Sequence, residues 1–513
     1  MTTSLIGIDF GACNLKAAKF VKGNVRPVKL NKNQSGNNAT PNVIYYDTDQ
    51  HIVGKRAKEK SDFKNKVLHI KRKLECENWE QHIPNIDKTL NAQDVAQDIF
   101  GWLNETITGQ SKEDFEAVIT VPVCYTEIQK NRIKAAAEKA GITVSRIITE
   151  PFAALFSIDE LFDNEGEQVV LIYDFGGSTL DLSLLKIEND GDTVCVTELS
   201  SLGKQFGGLT LDEWILEDVF CNKYEKEVKE IDAADDLGIA KTELLERIAE
   251  LKEELFEDMY REEDEDASCF FTDRKGKSYE FSLNKKEVEE VFEKHNASKI
   301  IRGMLDEMFE ETSEVDRKEV TLIQPFGGSS HIDYFLKILT EYFGEDIFDY
   351  TDCELEDIYM GIATGAVRFL DYYKDNESNI EIHQSIPFNI GMEKNNIFWP
   401  LIKKNTLYGF KTPLKPLPLG NTDLLQKNCK INFYQSFHKW DEKIPVSGND
   451  GAVYLGHVMW DSKKYNECAP GQPVLFSIKI TEAGLLQISF AVTSQDADTD
   501  YEIIDEKQFN IGG

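Results

Sequence analysis

The sequence lacks the cysteine and histidine spacings that mark zinc sites and disulfide frameworks. Its nine cysteines occur singly, without a Cys-x-x-Cys pair, and its eight histidines show no metal-ligand spacing. It also lacks any run of about 18 apolar residues, and residues 1–4 precede only a short apolar run, with no basic region of a signal peptide. These absences exclude a secreted disulfide scaffold and a membrane-spanning helix, so we expect a protein of the reducing cytoplasm.

Positive charge is scarce. The chain has 57 Lys and Arg against 91 Asp and Glu, a net charge of −34. A surface this negative repels nucleic-acid phosphates and anionic lipid head groups, so neither is an expected partner. Residues 380–513 carry 15 acidic and 13 basic side chains, a net of −2, which leaves −32 before them. A length of 513 residues exceeds a single core, and the change in charge near residue 380 indicates two bodies.

An apolar run that ends in Asp-Phe-Gly occurs twice, with the two aspartates 165 residues apart. Residues 5–11 form the first copy and residues 171–176 the second. Each copy is followed by another apolar run, residues 15–20 and residues 180–187. The pattern predicts two β-hairpins with glycine-rich turns and an aspartate at the strand end. A third strand, residues 320–323, precedes a further glycine turn and a helical pattern.

Glycine turns beside carboxylates are what a nucleoside triphosphate requires. Backbone N–H groups approach phosphate oxygens only where side chains are small, and carboxylates hold Mg²⁺ and orient an attacking water. An alternative is that the turns only close two hairpins that the aspartates cap. The predicted cradle consists of Gly11, Ala12, Cys13, Asn14, Gly176, Gly177, Ser178, Thr179, Gly327, Gly328 and Ser329, and the predicted metal- and water-organising carboxylates are Asp9, Asp174 and Asp181.

Asp-Phe-Gly also occurs in protein kinases, but the other kinase motifs are missing. The chain has no His-Arg-Asp catalytic loop and no Gly-x-Gly-x-x-Gly loop upstream. It also lacks the G-x-x-x-x-G-K-[ST] loop of P-loop enzymes. Both classes are therefore excluded.

The remaining patterns predict helices in the first body and strands in the second. Residues 117–121 read as a strand and residues 125–140 as a helix. Residues 241–260 place apolar side chains at three- and four-residue steps, and the acidic run 261–266 reads as a solvated helix face and loop. A polar linker is expected at residues 372–379. Strands are expected at residues 431–434, 453–459, 474–480 and 485–492, which predicts an all-β tail.

These segments resemble the seventy-kilodalton heat-shock chaperones, within the wider actin-like and sugar-kinase-like ATPase superfamily. Residues 5–14 resemble the family's first phosphate loop, residues 171–185 its second, and residues 327–331 its adenosine motif. The resemblance runs from residue 4 to about residue 492. Sugar kinases and actin share the phosphate and adenosine loops, but other segments are specific to the chaperones. They are residues 118–123 (Val-Ile-Thr-Val-Pro-Val), Gln129 with 135–141, 148–154 (Ile-Thr-Glu-Pro-Phe-Ala-Ala), 401–406 (Leu-Ile-Lys-Lys-Asn-Thr) and 484–489 (Gly-Leu-Leu-Gln-Ile-Ser).

The resemblance implies an α/β fold followed by an all-β domain. Residues 1–375 would form an actin-like, ribonuclease-H-like two-lobed ATPase domain, residues 376–384 a linker and residues 385–513 a β-sandwich that binds peptides. The family's helical lid is not expected, because about twenty residues follow Val492. The implied cofactors are ATP or ADP with Mg²⁺. The implied partners are unfolded or extended polypeptide segments, a J-domain co-chaperone and a nucleotide exchange factor.

The resemblance also assigns roles to single residues of the ATPase domain. Glu150 would lie behind the γ-phosphate, and Lys71 would orient attack on it unless it is one more lysine on a basic helix face. Thr179 would supply a hydroxyl on the phosphate side. The remaining assignments are Asp9 and Asp174 as Mg²⁺ ligands through water, Asp181 as a water-organising carboxylate, Gly207 and Gly208 as a pair near the nucleotide, and Lys252 as an adenosine contact.

In the β domain, the resemblance makes Met392 an apolar contact for a bound peptide. Ile431 and Phe433 alternate on one strand face and would be further walls of the groove. Equally, the alternation fits residues of the domain's core. Both interpretations stay open at this point.

Several residues depart from the family pattern. Ala12 and Cys13 stand where the family has two threonines, and each lost charge-assisted hydrogen bond costs about 1.5–3 kcal/mol. Cys13 is either a reactive thiol or a small residue tolerated in a tight turn. His331 replaces an arginine, and Ala249 and Glu253 stand where the family has a glutamate and an arginine beside the base. We therefore expect weakened nucleotide binding with slow ATP hydrolysis retained.

Two other functions remain to be separated from a lidless ATP-dependent chaperone. The first is a non-hydrolysing, ATP-bound co-chaperone or scaffold that docks a fixed partner. The second is a filament-forming actin-like protein, which the β domain disfavours. The linker at residues 379–384 is a diluted version of the family's leucine-rich, acidic one, so coupling between nucleotide and peptide sites is expected to be weaker.

Overall fold

The computed structural model describes residues 4–21, 23–31, 38–74, 76, 78–111, 114–234, 239–257, 262–273, 275–312, 315–344, 355–374, 379–416, 429–446, 451–463, 474–481, 484–493 and 501–510. The chain forms two units. One comprises residues 1–123, 132–194 and 202–380, and the other residues 124–131, 195–201 and 381–513. The division at residue 380 falls within the predicted linker 376–384.

The strands of the described residues number 26 and run through both units. They are β1 Ser4–Phe10, β2 Asn14–Val21, β3 Asn24–Pro27, β4 Thr40–Pro41, β5 Val43–Tyr46, β6 His51–Val53, β7 Lys66–Leu68, β8 Glu80–Ile83, β9 Lys88–Asn91, β10 Phe115–Val121, β11 Thr143–Thr149, β12 Gly166–Phe175, β13 Leu180–Asn189, β14 Val194–Lys204, β15 Ala267–Thr272, β16 Ser278–Leu283, β17 Leu322–Phe326, β18 Ile380–His383, β19 Asn389–Lys394, β20 Ile397–Ile402, β21 Lys415–Pro416, β22 Cys429–Ser436, β23 Val453–Trp460, β24 Leu475–Ile480, β25 Leu485–Thr493 and β26 Tyr501–Asn510.

The α-helices lie mostly between the strands of the first unit. They are α1 Lys55–Lys58, α2 Ile70–Lys73, α3 Ala92–Ser111, α4 Glu127–Lys139, α5 Glu150–Leu155, α6 Glu160–Asp163, α7 Gly208–Ile215, α8 Cys221–Lys223, α9 Glu225–Ala234, α10 Ala240–Glu257, α11 Lys285–Lys294, α12 Ala297–Glu311, α13 Asp333–Phe343 and α14 Leu355–Lys374.

The sequence repeat around Asp-Phe-Gly is also a repeat of structure. In one sheet, ordered β11-β10-β1-β2-β3, strand β1 pairs antiparallel with β2 and parallel with β10. In the other, ordered β17-β12-β13-β14-β18, strand β12 pairs antiparallel with β13 and parallel with β17. Both predicted hairpins are confirmed. Each places its aspartate next to the end of its first strand, β1 or β12, beside the glycine turn. Because each of these two strands pairs on both sides, we call them the central strands.

The helix predictions are confirmed over most of their lengths. Helix α10 buries Leu244, Ile248, Leu251 and Leu255, as the three- and four-residue spacing indicates. Residues 262–266, which are the described part of the acidic run after this helix, are exposed and lie outside any helix. No helix of the described ranges is both long and apolar enough to cross a membrane.

Helix α14 corrects the predicted linker. Residues 372–374 were expected to be linker, but the helix continues to Lys374 because Phe369 and Leu370 are buried in its last turns. The same helix lies directly against β1, where a side chain at Gly7 would meet the backbone of Ala363. The remaining linker residues 375–378 lie outside the described residues.

The β-rich tail folds as two four-stranded sheets. Their orders are β20-β19-β22-β23 and β21-β24-β25-β26. Side chains from both sheets share one buried core, with Ile390 and Trp460 from the first sheet and Ile478, Leu486 and Ile488 from the second. The four predicted strands are confirmed. Strand β26 was not predicted, because charged residues interrupt its apolar alternation.

Candidate functional site

Four buried carboxylates converge where the two central strands end. Asp9 is the penultimate residue of β1, and Asp174 is the penultimate residue of β12. Asp181 lies opposite Asp174 on β13, and Glu150 is the first residue of α5. Each is 6% exposed or less. One oxygen from each of Glu150, Asp174 and Asp181 lies within 4.8 Å of the others. We refer to these four residues as the carboxylate cluster.

Two lysines partly neutralise the carboxylate cluster. Lys16 Nζ on β2 donates to Asp9 Oδ2 over 2.9 Å, and Lys71 Nζ on α2 donates to Glu150 Oε1. Lys71 is only 2% exposed, so it does not lie on a solvated helix face. When all four carboxylates are ionised, they exceed the two ammonium groups by two negative charges. That excess equals the charge of one divalent cation.

Burial and the proximity of the carboxylates to one another raise the pKa values of two members of the cluster. Burial and the neighbouring charges of Glu150, Asp181 and Asp9 raise the pKa of Asp174 well above its usual range. Burial and Glu150 likewise raise the pKa of Asp181 to about 8. Asp181 Oδ1 accepts the Val123 N–H at 2.8 Å, whereas its buried Oδ2 has no hydrogen-bond partner among the described residues. An oxygen in this condition fits a divalent cation or its bound water.

Three turns meet around the second glycine loop. The Gly208 N–H donates to the Gly176 carbonyl at 3.1 Å, and the Leu209 N–H donates to the Gly177 carbonyl at 2.8 Å. The Ser329 hydroxyl also donates to the Gly176 carbonyl, at 3.1 Å. The structure therefore brings the predicted turns at 176–179, 207–208 and 327–329 together.

The glycines of these turns are required by close backbone approach. A Cβ on Gly207 would lie 2.5 Å from the Ser178 backbone. Gly327 has φ +82°, and its Cβ would lie 2.5 Å from the Phe175 carbonyl and 2.7 Å from Asp174 Oδ1. The first loop reaches the same place, since a Cβ on Gly177 would lie 2.5 Å from Cys13 Sγ. Backbone this tightly packed beside carboxylates fits a bound phosphate chain with Mg²⁺.

Comparison with known protein families agrees with this geometry. A family model described as Hsp70 protein matches residues 5–83 and 73–439. The chain belongs to the Hsp70 family. Members of this family are ATPases that act as chaperones, bind ATP or ADP with Mg²⁺, and bind unfolded polypeptides and co-chaperones. Actin-like ATPase lobes followed by a β-sandwich are the family's architecture, with which the α/β first unit and the β-rich second unit are consistent.

Lys252, the Hsp70 family's adenosine contact by resemblance, lies beside the predicted glycine pair. Its Nζ donates to the Gly208 carbonyl at 2.9 Å and forms an ion pair with Asp212 at 2.6 Å. Burial raises the pKa of Asp212, while Lys252 opposes the rise. Asp212 was missed by the sequence analysis, because nothing in the spacing of α7 and α10 links the two residues.

His331, which replaces an arginine of the Hsp70 adenosine motif, is a neutral ring rather than a cation. Burial lowers its pKa, and its Nε2 has no hydrogen-bond partner in the described part of the chain. The ring lies 5.8 Å from that of Tyr359. Burial also raises the pKa of Glu253 on α10. Neither His331 nor Glu253 therefore supplies a positive charge at its position.

Cys13 lies near a histidine that the sequence analysis missed. His69 Nε2 is 3.0 Å from Glu246 Oε1, and its Nδ1 is 3.4 Å from the Ala12 carbonyl and 3.9 Å from Cys13 Sγ. Although burial lowers the pKa of His69, hydrogen bonds to Cys13 and Glu246 raise it to about 10. Both ring nitrogens face acceptors, an arrangement that favours the protonated ring of His69 beside the first loop. Positions 13, 69 and 246 are too far apart in sequence for any local pattern to connect them.

The predicted peptide-contact residues of the β domain are core residues in this structure. Met392, Ile431 and Phe433 are 2%, 2% and 1% exposed and belong to the core shared by both sheets. The second interpretation of their alternation is therefore the one that the structure favours. A contact with peptide stays a prediction for these three positions.

Proposed function

We propose that the carboxylate cluster binds Mg-ATP, that the first unit hydrolyses ATP slowly, and that the bound nucleotide controls how the β domain holds extended polypeptide segments. The observation that carries this proposal is the cluster's excess of two negative charges together with the unpartnered oxygen of Asp181. The converging glycine turns and the family membership support it. An actin-like arrangement of the first unit is part of the same proposal.

The roles of the residues follow from their positions. Asp9, Asp174, Asp181 and Glu150 would hold the cation, which when bound offsets phosphate charge. With a cation bound, the Asp181 carboxylate would be ionised, and its unpartnered Oδ2 would orient an attacking water and accept its proton. The Lys71 ammonium is fixed by Glu150 and would stabilise negative charge on the transferred group. The Thr179 side chain hydrogen-bonds Asp181 and so fixes its orientation.

The first loop predicts weak binding. Ala12 and Cys13 offer no hydroxyl to the phosphates, and each missing charge-assisted hydrogen bond costs about 1.5–3 kcal/mol. That range corresponds to about 10- to 150-fold in affinity. The departures from the family pattern, by contrast, do not include Lys71, Glu150 or Asp181, to which we assign the chemical step.

Single-turnover hydrolysis of ATP by the full-length chain tests the proposal. Lys71→Met should slow the chemical step by at least about 100-fold, the size typical for loss of one transition-state donor. Lys66→Met is the matched control, because Lys66 is equally buried at 3% exposure but donates to the Lys58 carbonyl rather than to the cluster. Equal turnover in the wild type and Lys71→Met would contradict the assignment. Acceleration of turnover by an unfolded peptide would support the link to the β domain.

A second candidate is a non-hydrolysing, ATP-bound scaffold with a fixed partner. Lys16 favours it, because its ammonium already occupies one oxygen of Asp9. Stoichiometric binding of ATP without turnover in the same experiment would identify this function instead. The next experiment would then be a search for a stable protein partner.

A further inference from the structure

Three potential metal ligands meet on one outer face of the second unit. Cys195 is the second residue of β14, and Glu381 and His383 lie two residues apart on β18, the neighbouring strand. All three residues belong to the second unit. Side chains two residues apart point to the same face of a strand. The exposure pattern agrees, since Glu381 and His383 are exposed while Ile382 between them is half-buried.

The ligand atoms are already close to a coordination geometry. The Cys195 sulfur, one Glu381 oxygen and one His383 nitrogen all lie within 4.8 Å of one another. Glu381 Oε2 and His383 Nε2 are 3.9 Å apart. Around tetrahedral Zn²⁺, bonds of about 2.0–2.3 Å put ligand atoms about 3.3–3.7 Å apart. Rotation of the exposed Glu381 and His383 side chains supplies the remaining shift of about 1 Å.

The donor set selects the kind of metal. A thiolate with an imidazole suits Zn²⁺, whereas Mg²⁺ and Ca²⁺ require oxygen donors. A deprotonated Cys195 and Glu381 carry two negative charges, which Zn²⁺ neutralises. We propose that Cys195, Glu381 and His383 form a zinc-binding site, with water in the fourth position, that holds β18 against β14.

This site differs in chemistry from the carboxylate cluster. The cluster offers only oxygens and is buried, so it favours a hard cation. The site on β14 and β18 has two exposed ligands and a half-buried Cys195, and it contains sulfur and nitrogen, so it favours a softer cation. Excess Mg²⁺ therefore occupies the first without competing at the second, which allows the two to be titrated separately.

Cobalt(II) is the probe for the proposed zinc site. Full-length protein, freed of metal with a chelator and kept in excess Mg²⁺, is titrated with Co²⁺. We expect one equivalent to give a thiolate-to-cobalt charge-transfer absorption that Zn²⁺ abolishes by displacement. Absence of this absorption at one equivalent would overturn the proposal. Binding of several Co²⁺ ions with equal affinity would also overturn the proposal.

Matched variants locate the ligands. Cys195→Ser should abolish the absorption, and His383→Ala should weaken Zn²⁺ binding at least about 10-fold, the lower bound known for loss of supporting groups around a metal. Cys221→Ser and His82→Ala are the controls, because both side chains are exposed and lie on other elements. An absorption that persists in Cys195→Ser, or an unchanged Zn²⁺ affinity in His383→Ala, would refute the assignment. Since Glu381 and His383 are exposed and Cys195→Ser keeps nearly the same side-chain size, thermal unfolding of these variants without metal should match that of the wild type.

Hydrogen exchange tests whether the metal holds the strand. If β18 must release Zn²⁺ before it separates from β14, free Zn²⁺ at 100 times its Kd slows the exchange of amides in residues 380–383 about 100-fold. His383→Ala should show no such protection. Exchange that is unchanged by bound Zn²⁺ would contradict the holding of β18.

Discussion

The buried pair of Lys71 and Glu150 allows the electrostatics of the carboxylate cluster to be tested by stability alone. Both residues are nearly inaccessible, at 2% and 6% exposure, and their side chains are joined by a hydrogen bond. Removal of one partner of such a pair costs about 3–5 kcal/mol, because the other charge stays buried without compensation. Lys71→Met also raises the cluster's excess negative charge from two to three. We expect a loss near the lower end of that range, since the raised pKa of Glu150 allows it to take up a proton.

A double-mutant cycle measures the pair itself. Glu150→Gln combined with Lys71→Met removes both charges, so the double variant should recover about 2–3 kcal/mol relative to the sum of the single losses. Stability is followed by urea titration with hydrogen exchange in β12 as the probe of the first unit. Additive losses, with a coupling below about 0.5 kcal/mol, would show that the two side chains do not stabilise one another.

The cation dependence gives the cycle a second readout. If the excess charge attracts a divalent cation, Mg²⁺ should stabilise Lys71→Met more than the wild type and Glu150→Gln less. Equal stabilisation of all three proteins by Mg²⁺ would refute the charge count, even if the coupling is as large as expected.

Three other predictions concern the first loop and the turns. His69 has a pKa raised to about 10 from 6.5, so its stabilising contribution is complete below pH 6.5 and is lost as the pH rises towards 10. The free energy of unfolding of the wild type in urea should therefore fall by about 4 kcal/mol more over this interval than that of His69→Gln, and parallel losses would refute the cationic assignment. Cys13→Thr should raise ATP affinity about 10-fold in isothermal titration, because it restores one hydroxyl; an unchanged Kd would show that position 13 does not reach the phosphates. Gly327→Ala should lower the free energy of unfolding by more than 1 kcal/mol, because φ is +82° and the Cβ would clash with Phe175; a stability equal to that of Gly328→Ala, where nothing lies within 4 Å of the added Cβ, would contradict this reasoning.

The strand ends could be predicted because their signal is local. Each central strand is a continuous apolar run that stops at an aspartate and a glycine turn, and the repeat after 165 residues marks both hairpins. The buried face of α10 was equally clear from its spacing. Strand β26 gave no such signal, because Glu502, Asp505 and Glu506 interrupt the alternation of apolar and polar residues. The strand nevertheless pairs antiparallel with β25 along its length.

The charge partners could not be predicted, because they come from distant segments. Lys16 lies opposite Asp9 only through the antiparallel register of β1 and β2, and Glu246 reaches His69 from a helix 177 residues away. The same holds for Cys195 and His383, whose separation along the chain hides them from any rule of ligand spacing. A spacing rule detects sites built within one loop, whereas a sheet assembles ligands from whichever strands become neighbours.

The departures from the Hsp70 pattern are distributed unevenly over the two hairpins. On the first hairpin, Ala12 and Cys13 remove hydroxyls, and Lys16 occupies an oxygen of Asp9. On the second hairpin, both carboxylates, Asp174 and Asp181, are retained, and Asp181 Oδ2 has no hydrogen-bond partner among the described residues. Because the proposal assigns mainly phosphate contacts to the first loop and the carboxylates of the chemical step to the second hairpin, the changes should weaken the binding of substrate more than its conversion. A comparison of ATP affinity with single-turnover rate therefore separates a weakened ATPase, which binds poorly but converts what it binds, from a scaffold, which binds and does not convert.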